Sequence, residues 1–322
     1  MDTSAKIYVA GHTGLVGSAL VRALRAAGYE NLLLVPHGEL DLCDQAATRA
    51  FFEARRPDYV FLAAATVGGI GANSMAPATF IADNLAIALN VIDAAWRVGA
   101  KKLLNLGSSC IYPKFASQPI REDALMTGPL EPTNDAYALA KIAAIKLCLA
   151  YNQQYGTDYL SLMPTNLYGI GDTYDREGGH VLPALIAKFD DARRAGAAEV
   201  TLWGDGSPLR EFLWADDLAG AALYLMQRYT AAEIGGWINL GSGEEVSIAA
   251  LAEQARAVVF ADAPASAALP RIIWDTTKPN GTPRKLLDSS RIRALGWRAT
   301  TTLEAGLARA YEDYRVICLE GR

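Results

Sequence analysis

A short apolar run, Lys6–Ala10, ends on Gly11-His12-Thr13-Gly14-Leu15-Val16-Gly17, and a helical pattern begins inside that same turn. No other feature narrows the fold as far. A strand that must pass into a helix around three glycines builds a parallel βα unit whose helix N-terminus opens at the carboxyl end of the strand. Glycine permits the tight turn and a close approach of backbone or ligand. The free N–H groups and partial positive charge of the helix end suit a pyrophosphate, so Gly11, Gly14 and Gly17 point to a bound dinucleotide. The plainer alternative is that the glycines only allow close packing.

The alternation continues down the chain. Asn31–Val35, Tyr59–Ala63, Lys102–Leu106 and Asp158–Met163 read as further apolar strands, separated by helical patterns over Gly14–Ala27, Gln45–Arg55, Pro77–Arg97 and Ala136–Tyr155. Near-continuous apolar strands between helices predict an α/β fold, a Rossmann-type doubly wound parallel sheet covered on both faces. After Leu167 the pattern loosens. Gly169–Gly179 reads as a long loop. Beyond it come short strands (Val200–Trp203, Trp237–Leu240, Arg271–Trp274) and helices (Ala215–Arg228, Ser247–Val259, Leu303–Tyr314). We therefore expect a dinucleotide domain over residues 1–168 and a smaller C-terminal α/β substrate lobe over 169–322, which is able to return a strand to the first sheet. Ala261–Ala268 reads as linker or surface.

Composition excludes several classes. The 322 residues suffice for two lobes, and a net charge of −5 without a basic run argues against nucleic acid. Cys43, Cys110, Cys148 and Cys318 show no CxxC pairing, so neither a disulfide framework nor a metal site is expected, and a reducing, cytoplasmic setting follows. The polar start carries no signal-peptide pattern. The most apolar run, Tyr59–Ala72, is short for a membrane span and is interrupted by Gly68, Gly69 and Gly71, so no membrane partner is expected.

Chemistry enters with Tyr137 and Lys141, one helical turn apart and therefore on one helix face. A phenol titrates near 10, and an adjacent ammonium favours its anion. Ser108, at the end of the fourth strand in Gly107-Ser108-Ser109-Cys110, can donate a hydrogen bond to a substrate oxygen beside Tyr137. Together with the glycine turn, these residues predict hydride transfer at a sugar carbon. Arg210 and Lys188 are candidates for a diphosphate, and Trp203 fits either stacking on a base or packing in a core.

The glycine spacing resembles that of the short-chain dehydrogenase/reductase family. Asp41-Leu42 resembles its adenine-holding pair, and Ala63-Ala64-Ala65 its cofactor-lining segment. Longer blocks are more specific: Gly107–Lys114, Leu130–Asn134, Tyr137–Ala143, Met163–Gly169, His180–Leu185, Trp203-Gly204, Arg210–Phe212 and Lys278–Leu286. Over nearly its whole length the chain resembles the GDP-L-fucose synthases, the GDP-4-keto-6-deoxymannose 3,5-epimerase/4-reductases. The resemblance implies Ser108, Cys110, Tyr137, Lys141 and His180 as the catalytic set, with Cys110 and His180 exchanging protons during epimerisation. The chemistry agrees: a C4 ketone acidifies the C3 and C5 hydrogens, and a thiol and an imidazole both titrate near neutrality. The resemblance further implies a cofactor set of Gly11, Thr13, Gly14, Leu15, Val16, Gly17, His37, Asp41, Leu42, Ala64, Lys141, Pro164, Asn166, Leu167 and His180. For a GDP-sugar substrate it implies Ser109, Asn166, Lys188, Trp203, Arg210 and Asn280. It also implies a homodimer packed through the two long helices. Cys43, Cys148 and Cys318 are expected to be small core side chains.

Some positions depart from the family pattern. Thr13 and His37 stand where arginines are usual, and no acid follows the second strand, so NADPH is the expected cofactor and NADH the alternative. Thr66, Trp214, Asn280 and the loop Gly169–Gly179 also differ. These changes leave a related sugar, such as a dideoxy sugar or a heptose, as the second reading.

Overall fold

The structure, a computed structural model, describes residues 1–264, 268–278 and 280–320. Part of the stretch expected as linker, Ala261–Ala268, lies outside the described residues, as do Pro279 and the side chain of Cys318.

Six strands form one all-parallel sheet: β1 (Ile7–Ala10), β2 (Leu32–Leu33), β3 (Tyr59–Leu62), β4 (Lys102–Leu106), β5 (Tyr159–Pro164) and β9 (Trp237–Leu240), in the order β2-β1-β3-β4-β5-β9. Helices α1 (Leu15–Ala26) and α7 (Ala215–Arg228) cover one face; α2 (Gln45–Arg55), α4 (Pro77–Arg97) and α5 (Asp135–Tyr155) cover the other. Strand side chains alternate between the two cores. Ile7 and Val9 pack with α1 and α7, while Tyr8 and Ala10 pack with α2 and α4. The strand order reverses beside β1, which opens a crevice at the carboxyl ends of β1 and β3, where α/β sheets bind ligands.

Local chemistry sets the element ends. α5 starts with Asp135 in its first turn and stops at Gly156, which adopts φ 67°. Lys102 is buried in β4. Its Nζ donates to the α7 carbonyls of Leu225 and Met226 and to Tyr229, and it lies 3.4 Å from Asp158. A buried cation is thus matched to a helix C-terminus and a carboxylate.

Further elements carry the second lobe: α6 (Val181–Ala195), β7 (Glu199–Trp203), β8 (Leu209–Trp214), β10 (Glu245–Ser247), α9 (Ile248–Val259), β11 (Arg271–Asp275), β12 (Arg284–Lys285) and α11 (Leu303–Glu320). β8 lies between β10 and β12 and also pairs with β6 (Asn166–Tyr168), the continuation of β5; β7 and β11 form a separate pair. Between these pieces, α7, α8 (Ala231–Ile234) and β9 return to the main sheet, and α10 (Ser290–Ala294) packs there too. The second core gathers Leu182, Leu185, Ile186 and Phe189 of α6 against α9 and α11.

The expected strand Asn31–Val35 contracts to Leu32–Leu33. It sits at the sheet edge, and the Pro36 carbonyl accepts from Glu39 and Leu40, turning the chain away. α3 (Ile70–Met75), α6, β6, β8 and β10 add to the elements expected from the sequence, and α11 runs beyond Tyr314. Helix α4 is long and apolar enough to cross a membrane by length and composition alone; here it lies between α2 and α5 in the helical layer.

Candidate active site

The glycine turn divides into two functions. Gly11 has φ +78°, and a Cβ there would stand 2.7 Å from the backbone of Ala64; a Cβ on Gly17 would stand 2.0 Å from the Gly11 carbonyl. Packing therefore demands both. Gly14 differs: an added Cβ would meet only an ordinary 3.6 Å contact. Gly14 is also the N-cap of α1, and no side chain caps that helix end. The uncapped N–H groups and the space above Gly14 fit a pyrophosphate.

The other expected cofactor residues are placed along the ends of the sheet strands and the segments after them. Leu15, Val16 and Leu167 pack against one sheet core, and Ala64 against the other. Leu42 is buried, and its carbonyl is held by Asn90 of α4 at 2.9 Å; Asp41 accepts from the Cys43 amide at 2.9 Å. Thr13 and His37 are exposed. Pro164 ends β5 opposite Leu240. Beyond β3, Asn84 clamps the chain by accepting from the Thr66 amide and donating to its carbonyl.

Ser108 caps a single 3-10 turn, Ser109–Ile111, and its Oγ accepts from the Cys110 amide at 3.2 Å. Ser109 is buried. The Ser108 hydroxyl is close enough to the Tyr137 phenol to favour its anion slightly. Burial, followed by the nearby charge of Cys110, raises the phenol above its ordinary range, so Tyr137 stays protonated. The spacing predicts a lysine pressing on that phenol, and the structure places it differently. Lys141 Nζ donates to the Leu106 carbonyl at 3.0 Å and stands 5.8 Å from the centre of the Tyr137 ring. Burial lowers the Lys141 pKa to about 8.

Cys110 is the most densely partnered group of the site. Asn134, the N-cap of α5, donates Nδ2 to Sγ at 3.3 Å, and Lys285 Nζ lies 3.6 Å from Sγ. Burial opposes ionisation of the thiol, but the Lys285 charge and hydrogen bonds from Ser108, Lys285 and Asn134 outweigh it, leaving the thiol below its ordinary pKa. His180 is the N-cap of α6. Desolvation and then the same Lys285 charge lower its pKa. The charge of Lys285 thus reaches both the thiol and the imidazole, and that of Cys110 reaches the Tyr137 phenol. Asn134 and Lys285 carry no role in the sequence reading. Asn134 sits one position before a helix, and Lys285 lies in a two-residue strand too short to show periodicity.

The expected nucleotide residues lie on the second lobe. Trp203 is 40% exposed, with Lys188 and Lys278 Nζ 5.8 and 5.2 Å from its ring centre, which rules out the core-packing alternative. Arg210 of β8 is desolvated and senses the charges of Cys110 and Glu131. Asn280 is partly committed elsewhere, since its Oδ1 accepts from the Asp205 amide at 3.0 Å. Asn166 donates to the Glu211 carbonyl at 2.8 Å. Glu211 is fully buried and accepts from the amides of Gly243 and Leu287, so it organises the loops beneath β8.

A backbone contact ties the segment after β3 to the loop that precedes α6. The Gly69 amide, beyond β3, donates to the Gly178 carbonyl at 2.9 Å, two residues before His180. The loop between is tied to the second lobe by Tyr174, bonded to the Ala310 carbonyl at 2.8 Å, and by Arg176, paired twice with Asp191.

The chain is similar to known proteins over nearly its whole length. Residues 7–241 match the NAD dependent epimerase/dehydratase family. The chain is 55% identical to GDP-L-fucose synthase 1 of Arabidopsis thaliana, over 97% of this chain and 94% of that one. It is 47% identical to GDP-L-fucose synthase of Escherichia coli strain K12, over 95% of each. Among solved structures, a GDP-mannoheptose C4 reductase from Campylobacter jejuni with NADP bound superposes with a TM-score of 0.88 at 36% identity, over 98% of this chain and 99% of that one.

Proposed function

Because the chain belongs to the NAD-dependent epimerase/dehydratase family, we propose that it converts GDP-4-keto-6-deoxy-D-mannose to GDP-L-fucose by 3,5-epimerisation and NADPH-dependent reduction at C4. The observation that carries this reading is a thiol, Cys110, set electrostatically against the Tyr137 phenol, with His180 sharing its lysine. A simple 4-keto reductase needs only the Ser108–Tyr137–Lys141 part.

The substrate ketone oxygen lies between Ser108 and Tyr137, whose hydrogen bonds stabilise the enolate formed by proton loss at C3 or C5. Cys110 removes the proton, and His180 returns one to the opposite face. After the second epimerisation Tyr137, kept protonated by burial, delivers its proton to the C4 oxygen. The α1 turn and Lys141 would hold NADPH, which would supply the hydride there. Trp203, Lys188 and Arg210 hold the GDP portion.

The test is turnover in D₂O with NADPH, followed by NMR of the product. Deuterium at both C3 and C5 is expected; a product lacking it at both carbons overturns the epimerase assignment. The second reading, C4 reduction of a related GDP-sugar such as a heptose, has in its favour the distinctive loop 169–179. It predicts turnover of that sugar without wash-in.

The same reading makes the enzyme a cytoplasmic homodimer. Leu85 and Leu89 of α4 and Leu139 of α5 are 39%, 47% and 49% exposed, an apolar surface suited to a second copy of the helix pair. The described cysteines Cys43, Cys110 and Cys148 are free thiols, as a reducing compartment keeps them. Sedimentation as a monomer at micromolar concentration would remove the dimer.

A further inference from the structure

The geometry points to Lys285 as the positioning residue of the epimerase half of the site: its ammonium, 3.6 Å from Cys110 Sγ, holds that sulfur as the anion that removes protons from substrate carbon. The inference rests on the epimerase reading and adds to it the group that makes the sulfur a base.

Three observations support it. First, among the described residues no carboxylate pairs with Lys285, and its one side-chain partner is the Cys110 sulfur. Second, its place is built rather than incidental. β12 pairs with β8 so that Lys285 stands beside Arg210, and the preceding Arg284 forms two 2.8 Å bonds to Glu245 across β8. The Leu286 amide donates to Gln118, and the Leu286 carbonyl accepts from the Ile120 amide. Successive strand residues point to opposite faces, so anchoring Arg284 outward aims Lys285 inward. Third, the Lys285 charge acts on His180 as well, pushing both groups in one direction. The sulfur is more readily an anion, and the protonated imidazole is a stronger acid. One ammonium thus serves both halves of the exchange. The thiolate takes a carbon-bound proton and becomes a thiol; the imidazolium gives its proton to the enolate carbon on the other face; both then re-equilibrate with solvent.

Other groups also bear on the sulfur: Tyr137 of α5, Asn134 at its N-cap, Arg210 of β8, and the Lys114–Glu131 ion pair (3.0 Å), which lines a small cavity together with Cys110; His180 at the start of α6 shares the Lys285 charge.

The test compares wild type, Lys285→Met and Lys285→Arg. The first readout is the rate of iodoacetamide alkylation of Cys110 against pH, followed by peptide mass mapping so that the other cysteines are scored separately. In Lys285→Met the rate at pH 7 should fall about tenfold or more and its midpoint should move to higher pH; Lys285→Arg should restore most of it. The second readout is deuterium wash-in from D₂O, expected to fall in Lys285→Met at unchanged circular dichroism. An alkylation profile in Lys285→Met that superposes on wild type overturns the inference. Wild-type enzyme that alkylates readily at Cys110 yet washes in no deuterium instead overturns the epimerase reading, and leaves the lysine–sulfur pairing standing on the first readout.

Discussion

The turn at the foot of α1 is built by one contiguous stretch, Gly11–Gly17, whereas the Cys110 sulfur is surrounded by groups from positions 108, 134, 137 and 285. The cofactor side works through backbone: close approach, an uncapped helix end and an absence of side chains. The proton-exchanging side works through charges brought together by two lobes. A backbone device tolerates no added atoms but is indifferent to pH. An electrostatic device tolerates changes of shape but depends on every charge near it.

The sharpest way to break this comparison is to remove one group from each half. Cys110→Ala should lower epimerisation by about 10²–10⁴-fold, read as deuterium wash-in, while an already epimerised 4-ketone is still reduced by NADPH at close to the wild-type rate. Tyr137→Phe should lower reduction by a similar factor and should weaken both activities, because Tyr137 also holds the enolate oxygen. If Cys110→Ala abolished reduction of the epimerised ketone, the two halves would not be separable.

Smaller effects separate packing from approach within the turn. Gly17→Ala forces a Cβ against the Gly11 carbonyl and should destabilise the fold by roughly 1–3 kcal/mol, measured by urea unfolding. Gly14→Ala should leave unfolding unchanged and instead weaken NADPH binding in a fluorescence titration. Equal effects on stability would mean that the turn is only a packing motif.

The smallest expected effect concerns Lys141, whose pKa in the fold, about 8, lies below the unfolded value near 10.4. Between those values the unfolded chain binds more protons, so stability rises with pH; below about pH 8 both states are protonated and the burial cost is fully present. Lys141→Met should therefore raise stability at pH 7 by roughly 1–2 kcal/mol while impairing reduction. A lower melting temperature at pH 7 would show that the bond to Leu106 outweighs desolvation. In the wild type, reduction that depends on the Lys141 ammonium should decline as pH rises through about 8.

Legibility in the sequence follows the same division. The main sheet and its helices were readable because buried parallel strands are continuously apolar and their helices carry regular stripes. The glycine turn and the Tyr137–Lys141 pair are local in sequence, so spacing reveals them. Their electrostatics were less accessible: the expected pressure of Lys141 on the phenol gives way to a bond with the Leu106 carbonyl and a protonated Tyr137. In the second lobe, α6 carries Leu182, Leu185, Ile186 and Phe189 at helical spacing, a usable signal. β8 and β12 offered none, because Glu211 is buried there for its bonds to loop amides, and two residues cannot display a period. Lys285 reaches Cys110 only through that strand pairing, so its role is a property of the fold.

The single amide that bridges Gly69 and Gly178 bears on the tempo of turnover. A lone backbone hydrogen bond returns only about 0.5–1.5 kcal/mol net. Thermal motion breaks such a tie readily, so the tie itself need not limit the cycle. The same tie, when made, holds the backbone just before His180, while the side chains of Tyr174 and Arg176 anchor the rest of that loop to the second lobe. With the loop anchored at those points, exposed positions such as Thr173 and Glu177 are free of that duty, and a change there can alter the sugar admitted while the chemistry beside it does not change.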